Sequence, residues 1–135
     1  AIYELGYLIQ LINDMFDICK DYLNKQQTLF TNATSLKPCF NEYKNTLDNV
    51  ITNFMSLDYD HSNSIKALSK ISTITSRAQV CIEQLLACEK STQGSFKIEF
   101  YERKQLICDM DTIKNIFKSY RFSVTFYKQL LKLNP

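Results

Sequence analysis

Apolar residues return at helical spacing along most of the chain. From residue 2 to about 23 (IYELGYLIQLINDMFDICKDYL) the pattern runs without a proline into the polar Asn24-Lys25-Gln26-Gln27, which predicts a first helix. The stretch Thr31 to Ser35 is rich in side chains that bond their own backbone. Pro38 then suits the first turn of a second helix over about 38–56, whose Phe40, Tyr43, Leu47, Val50, Ile51 and Phe54 share one face. Residues Leu57 to Asn63 read as a turn, with Ser62 or Asn63 capping a third helix that runs to about Lys90. Gly94 lies in the polar break Ser91 to Ser95. A last helical region covers about 97–132, interrupted near Asp109 to Asp111, where Asp111 would cap a fresh start. Four antiparallel helices joined by polar loops predict an all-α helical bundle occupying residues 1–135 as a single helical region, with the first helix central.

That first helix has an inverted polarity. At 100° per residue, Tyr3, Gly6, Gln10, Asn13, Asp14, Asp17, Asp21 and Asn24 share one arc about 100° wide, while most of the remaining circumference is apolar. A surface helix of a globular protein shows the reverse, a broad polar face and a narrow apolar stripe. The stripe is therefore expected to line a polar cavity or groove. Carboxylates at i, i+3 and i+4 repel one another, so something should neutralise them. Magnesium suits the task because it takes hard carboxylate oxygens and completes its shell with water and substrate phosphates. The stripe offers no His or Cys, which makes zinc a poor candidate. Gly6 weakens a helix interior and would clear space for something lying along the stripe.

Composition narrows the choices. With 45% hydrophobic residues, 135 residues can bury a core, and only two Gly and two Pro leave too few tight turns for an all-β fold. Sixteen Lys and Arg against fourteen acids give a net charge of +2, which supplies no footprint for a nucleic acid. The longest uncharged stretch, Leu5 to Ile12, is too short to be a transmembrane segment. Five cysteines, an odd number with no CxxC pair, suggest neither a disulfide framework nor a zinc ribbon, and point to the reducing cytoplasm. Because Ala1 already falls inside a helical pattern with no cap ahead of it, the chain reads as a piece of a longer protein.

Glu4-Leu5-Gly6, then Gln10, Asn13-Asp14-Met15-Phe16-Asp17 and Asp21, resemble the second aspartate-rich helix of the class I isoprenoid synthases. The spacing Gln10, Asn13, Asp17, Asp21 is that of the squalene and phytoene synthases, whereas Asp14 beside Asn13 is similar to the trans-prenyl diphosphate synthases. Phe16 stands where the first group has Arg, and Lys20 where it has an acid. The resemblance covers about residues 4 to 25. It implies a partial terpenoid-synthase-like fold and a Mg²⁺-dependent transferase or synthase of isoprenoid biosynthesis acting on a prenyl diphosphate. In that reading Asp14, Asp17 and Asp21 are catalytic metal ligands, and Gln10, Asn13 and Lys25 bind substrate. The missing N-terminal part would carry the other aspartate-rich helix. The fragment alone is expected to be inactive, and to self-associate through apolar surface left around Leu8, Ile12, Met15 and Phe16. The competing expectation is a non-enzymatic helical interaction module whose acidic stripe binds a basic partner, or a degenerate synthase relative.

Other polar groupings carry less. Asp58 to Ser64 alternates oxygens like the start of a calcium loop but has Asn63 where the loop needs Gly, so a polar turn is expected there. His61 has no nucleophile beside it, Asp109-Met110-Asp111 reads as a helix junction, and Cys81 and Cys88 read as small buried hydrophobes. Arg77 and Arg121 are the cations that could face a diphosphate, although the spacing orients neither.

Overall fold

The computed structural model describes residues 1–133 as an all-α bundle. α1 (Ile2–Phe16) and the short α2 (Ile18–Leu23) are followed by α3 (Leu36–Met55), α4 (His61–Ser91), α5 (Arg103–Leu106) and α6 (Ile113–Lys132), with one 3-10 turn at Ile98–Phe100. The first helix was expected to be central. Instead α4 holds that place, because at 31 residues it is long enough for α1, α3, α5 and α6 all to pack along it.

The core forms where apolar helical faces meet. Leu8, Ile12 and Met15 of α1, Ile18 of α2, Val50 of α3 and Leu68, Cys81 and Leu85 of α4 are buried in one cluster. The apolar side of α1 is thus packed on α3 and α4, and of the surface expected to lie bare Leu8, Ile12 and Met15 are closed while Phe16 stays half-buried.

Polar contacts fix the helix ends. Buried Glu89 on α4 accepts a hydrogen bond from the Leu36 N–H at 2.8 Å, so a carboxylate from a distant element satisfies the first turn of α3. Asp60, not Ser62 or Asn63, caps α4 by accepting from the Ser62 N–H at 2.8 Å. After α4 the chain reverses through Gln93 and Gly94 in left-handed backbone, φ 57° and 83°.

The expected last helix over 97–132 is helical throughout only in its second part. Phe96, Ile98, Tyr101, Leu106 and Cys108 bury their side chains from turns and the single-turn α5. The carbonyls of Gln105 and Ile107 are satisfied by the Gln84 side-chain amide of α4, at 2.6 and 2.9 Å. Thr112 rather than Asp111 caps α6, accepting from the Asn115 N–H at 3.3 Å. Asp109 accepts from the Asp111 N–H at 2.9 Å, which makes this stretch the expected helix junction. α6 then lies on α4 across paired serines, Ser72 with Ser123 and Ser76 with Ser119, each pair 3.1 Å apart. Among the described residues no helix is long and apolar enough to cross a membrane.

Candidate functional site

The aspartate stripe sits at a break in the helix. α1 ends at Phe16 and α2 begins at Ile18, with Asp17 between them at φ −91° and ψ 7°. The chain was expected to run as one helix to residue 23. Aspartate is a weak helix former whose side chain competes for backbone hydrogen bonds, and three carboxylates in successive turns add mutual repulsion. The turns nonetheless stay in register, because the Asp17 N–H donates to Asn13 O and the Asp21 N–H to Asp17 O, both at 2.8 Å.

The stripe does not line an interior cavity. With the apolar side of α1 turned to α3 and α4, the polar side faces outward, and Tyr3, Gly6, Gln10 and Asn13 are exposed. A Cβ built on Gly6 would meet nothing within 4 Å, so the space along the stripe is open at that point. Asp14 and Asp21 are the covered members, at 8% and 6% exposure, and Asp17 is half-buried. Gln10 donates its side-chain N–H to Asp14 Oδ1 at 2.6 Å, and Lys20 reaches Asp17 Oδ2 at 3.3 Å. Burial holds the Asp14 carboxyl above its ordinary pKa; the Gln10 hydrogen bond opposes this shift, and the charges of Asp21 and Asp17 add to it. Lys25 is placed otherwise than a continued helix would place it. α2 stops at Leu23, and Lys25 stands exposed in the following turn with φ 56°.

Beside the stripe runs a groove made of adjoining hollows. One, of about 370 Å³, is lined by Ile9, Ile12, Asn13 and Phe16 of α1, Ile74 and Arg77 of α4, and Met110. Phe16 also borders a second, of about 340 Å³, which contains Asp17, Lys20, Asn24 and Arg103. Arg77 and Met110 border a third, of about 270 Å³, reaching Ile116 and Tyr120 of α6. Arg77 therefore shares a hollow with Asn13, and it is in none of the ion pairs found among the described residues. Arg121 is exposed on α6 and lines none of these hollows. Arg103 was missed in the sequence, since only the folding of α5 against α2 brings it to the hollow that Asp17 also lines. A larger hollow of about 580 Å³ lies between α3, α4 and α6 around Phe40, Leu47, Phe122 and Phe126, and no stripe residue reaches it.

His61 and the cysteines add no second site. His61 begins α4, and the five cysteines are free. The neighbouring Cys108 and burial raise the Cys81 thiol, which donates to Met15 O at 3.8 Å, and this keeps it a thiol. Among the described residues no three His, Cys, Asp or Glu side chains converge into a metal site built from protein groups alone. Magnesium does not require one, since it commonly takes one or two carboxylates and completes its shell with water and phosphate oxygens. The hard oxygen donors and the crowding of charge at Asp14 fit such an ion. Compared against protein families, curated proteins and solved structures, the chain matches none.

Proposed function

We propose that the α1–α2 stripe holds magnesium and the diphosphate of a prenyl substrate, as the C-terminal part of a class I isoprenoid synthase in the cytoplasm. One observation carries this reading: Asp14 is buried beside two further carboxylates, its charge disfavoured by burial and by those neighbours. A site so arranged gains when a divalent cation arrives. One or two of the Asp14, Asp17 and Asp21 carboxylates would hold the ion, with water and phosphate oxygens completing its shell. When bound, it supplies positive charge to the departing diphosphate. The chain's own residues do the rest: the Asn13 amide and the Arg77 guanidinium bind phosphate oxygens, with Gln10 keeping the Asp14 carboxylate oriented. Arg103 offers a second cation in the hollow that Asp17 lines. The apolar wall of Ile9, Ile12, Phe16, Ile74 and Met110 receives the start of the isoprenoid chain and excludes water from it. Five free thiols fit a reducing compartment.

A stripe offered to a basic protein partner would keep its carboxylates in water. Burial of Asp14 and Asp21 supports the small-anion reading over that one. The test is an assay of the full-length protein with farnesyl and geranylgeranyl diphosphates and Mg²⁺, alongside Asp14→Ala and Asp17→Ala. Diphosphate release should require both carboxylates. Release that survives both substitutions, or a full-length protein inert to every prenyl diphosphate, overturns the assignment.

A further inference from the structure

α6 buries one side on α4 and leaves the other to solvent. Its outward side carries Ile113, Ile116, Phe117, Tyr120, Tyr127 and Leu131, which fall within an arc of about 100° at helical pitch. Phe117 is 63% exposed and Tyr120 66%. Exposed apolar area of this length on one helix marks an interaction surface.

Charge says what it meets. α6 holds five of the sixteen Lys and Arg and none of the fourteen acids, so the rest of the chain is net −3 against +5 on this helix. Lys118 answers Glu83 of α4 at 2.7 Å. The other four, Lys114, Arg121, Lys128 and Lys132, are exposed and fall along a single edge of the apolar arc. α6 itself offers no acid with which a second copy of the helix could answer these cations. A helix with aromatic and aliphatic residues on one face and cations beside them has the composition of a segment that lies in the plane of a membrane interface.

We propose that α6 docks on an anionic lipid surface. Ile113, Phe117 and Tyr120 enter the boundary between headgroups and acyl chains, and Lys114, Arg121, Lys128 and Lys132 lie against the lipid phosphates. Long basic stems suit this placement because their methylenes reach along apolar surface while the charge stays in the headgroup layer. Ile116 and Tyr120 also border the hollow that contains Arg77, so the docked face adjoins the groove. The proposal stands independently of the magnesium reading.

The experiment is co-sedimentation of the protein with phosphatidylcholine vesicles, with and without phosphatidylglycerol, at low and high salt. Binding is expected to the anionic vesicles only, and to weaken as salt rises. The double variant Lys128→Gln/Lys132→Gln should weaken the partition by about tenfold or more. Phe117→Glu should weaken it as well, with melting and far-UV circular dichroism unchanged because the ring is outside the core. Failure to bind anionic vesicles, equal binding to neutral ones, or binding indifferent to both variants overturns the proposal. So does a dimer in sedimentation equilibrium that Phe117→Glu dissociates, which would assign the face to a second copy.

Discussion

α1 and α6 are both laid on α4, and they turn opposite chemistry to the outside. α1 buries Leu8, Leu11, Ile12 and Met15 and turns Gln10 and Asn13 outward, with Asp14 covered beside them; α6 buries Leu130, packs its paired serines on α4 and presents aromatics flanked by cations. Amphipathicity alone therefore does not say which face of a helix is covered. On α1 the apolar face is the wider one and captures two partners, α3 and α4. On α6 hydroxyls on α4 pair with hydroxyls on the side that lies down, and an apolar arc is left over. Base concentrates on the last helix, which holds no acid, while Asp14, Asp17 and Asp21 gather at the break between α1 and α2, which separates a cation-seeking surface from an anion-seeking one.

The comparison breaks most visibly through stability. Met15→Ala should cost about 2–5 kcal/mol in urea unfolding because the side chain is fully buried, whereas Phe117→Ala should stay within about 0.5 kcal/mol. Equal losses would mean that α6 is covered where it is described as bare. A smaller effect of opposite sign is expected at Gly6. Its Cβ position is open, so Gly6→Ala should stabilise the helix by about 1 kcal/mol, read as a higher urea midpoint. A loss of stability there would show that the stripe is packed against something.

The smallest effect concerns Asp14. Its pKa is raised in the folded state, so the native protein binds this proton more readily than the unfolded chain does. Stability from this group is then full below the ordinary aspartate range and is lost as pH rises through the raised value. Asp14→Asn, which keeps an acceptor for Gln10, should flatten that part of the stability profile and raise the melting temperature at neutral pH. A wild-type profile that rises with pH over the same window, and a variant that changes nothing, would contradict the burial argument.

Much of the fold was legible because the helices of the bundle advertise their apolar periods and polar loops. α3 and α4 begin within three residues of the expected starts. The misses share a cause, partners distant in sequence. Residues 97–112 look helical by spacing, yet Gln84 takes up the carbonyls of Gln105 and Ile107 and lets the segment stay irregular while burying Ile98 and Leu106. Glu89 starts α3 from 53 residues away. At the candidate site the carboxylate cluster was visible on a helical wheel. Arg77 and Arg103 could be oriented only by the packing of α4 and α5. The outward aspect of the stripe was not legible either, since a wheel shows what shares a face but not which face is covered.

The central claim is that the stripe is a place for magnesium and diphosphate together. Titration calorimetry of the protein with Mg²⁺, with inorganic diphosphate, and with both tests it most directly, comparing wild type with Asp17→Asn. Asp17 is half-buried and outside the core, so the variant should fold. Weak binding of Mg²⁺ alone, stronger binding when diphosphate is present, and loss of that gain in Asp17→Asn are the expected results. Identical heats for the two proteins, or diphosphate binding indifferent to Mg²⁺, would contradict it.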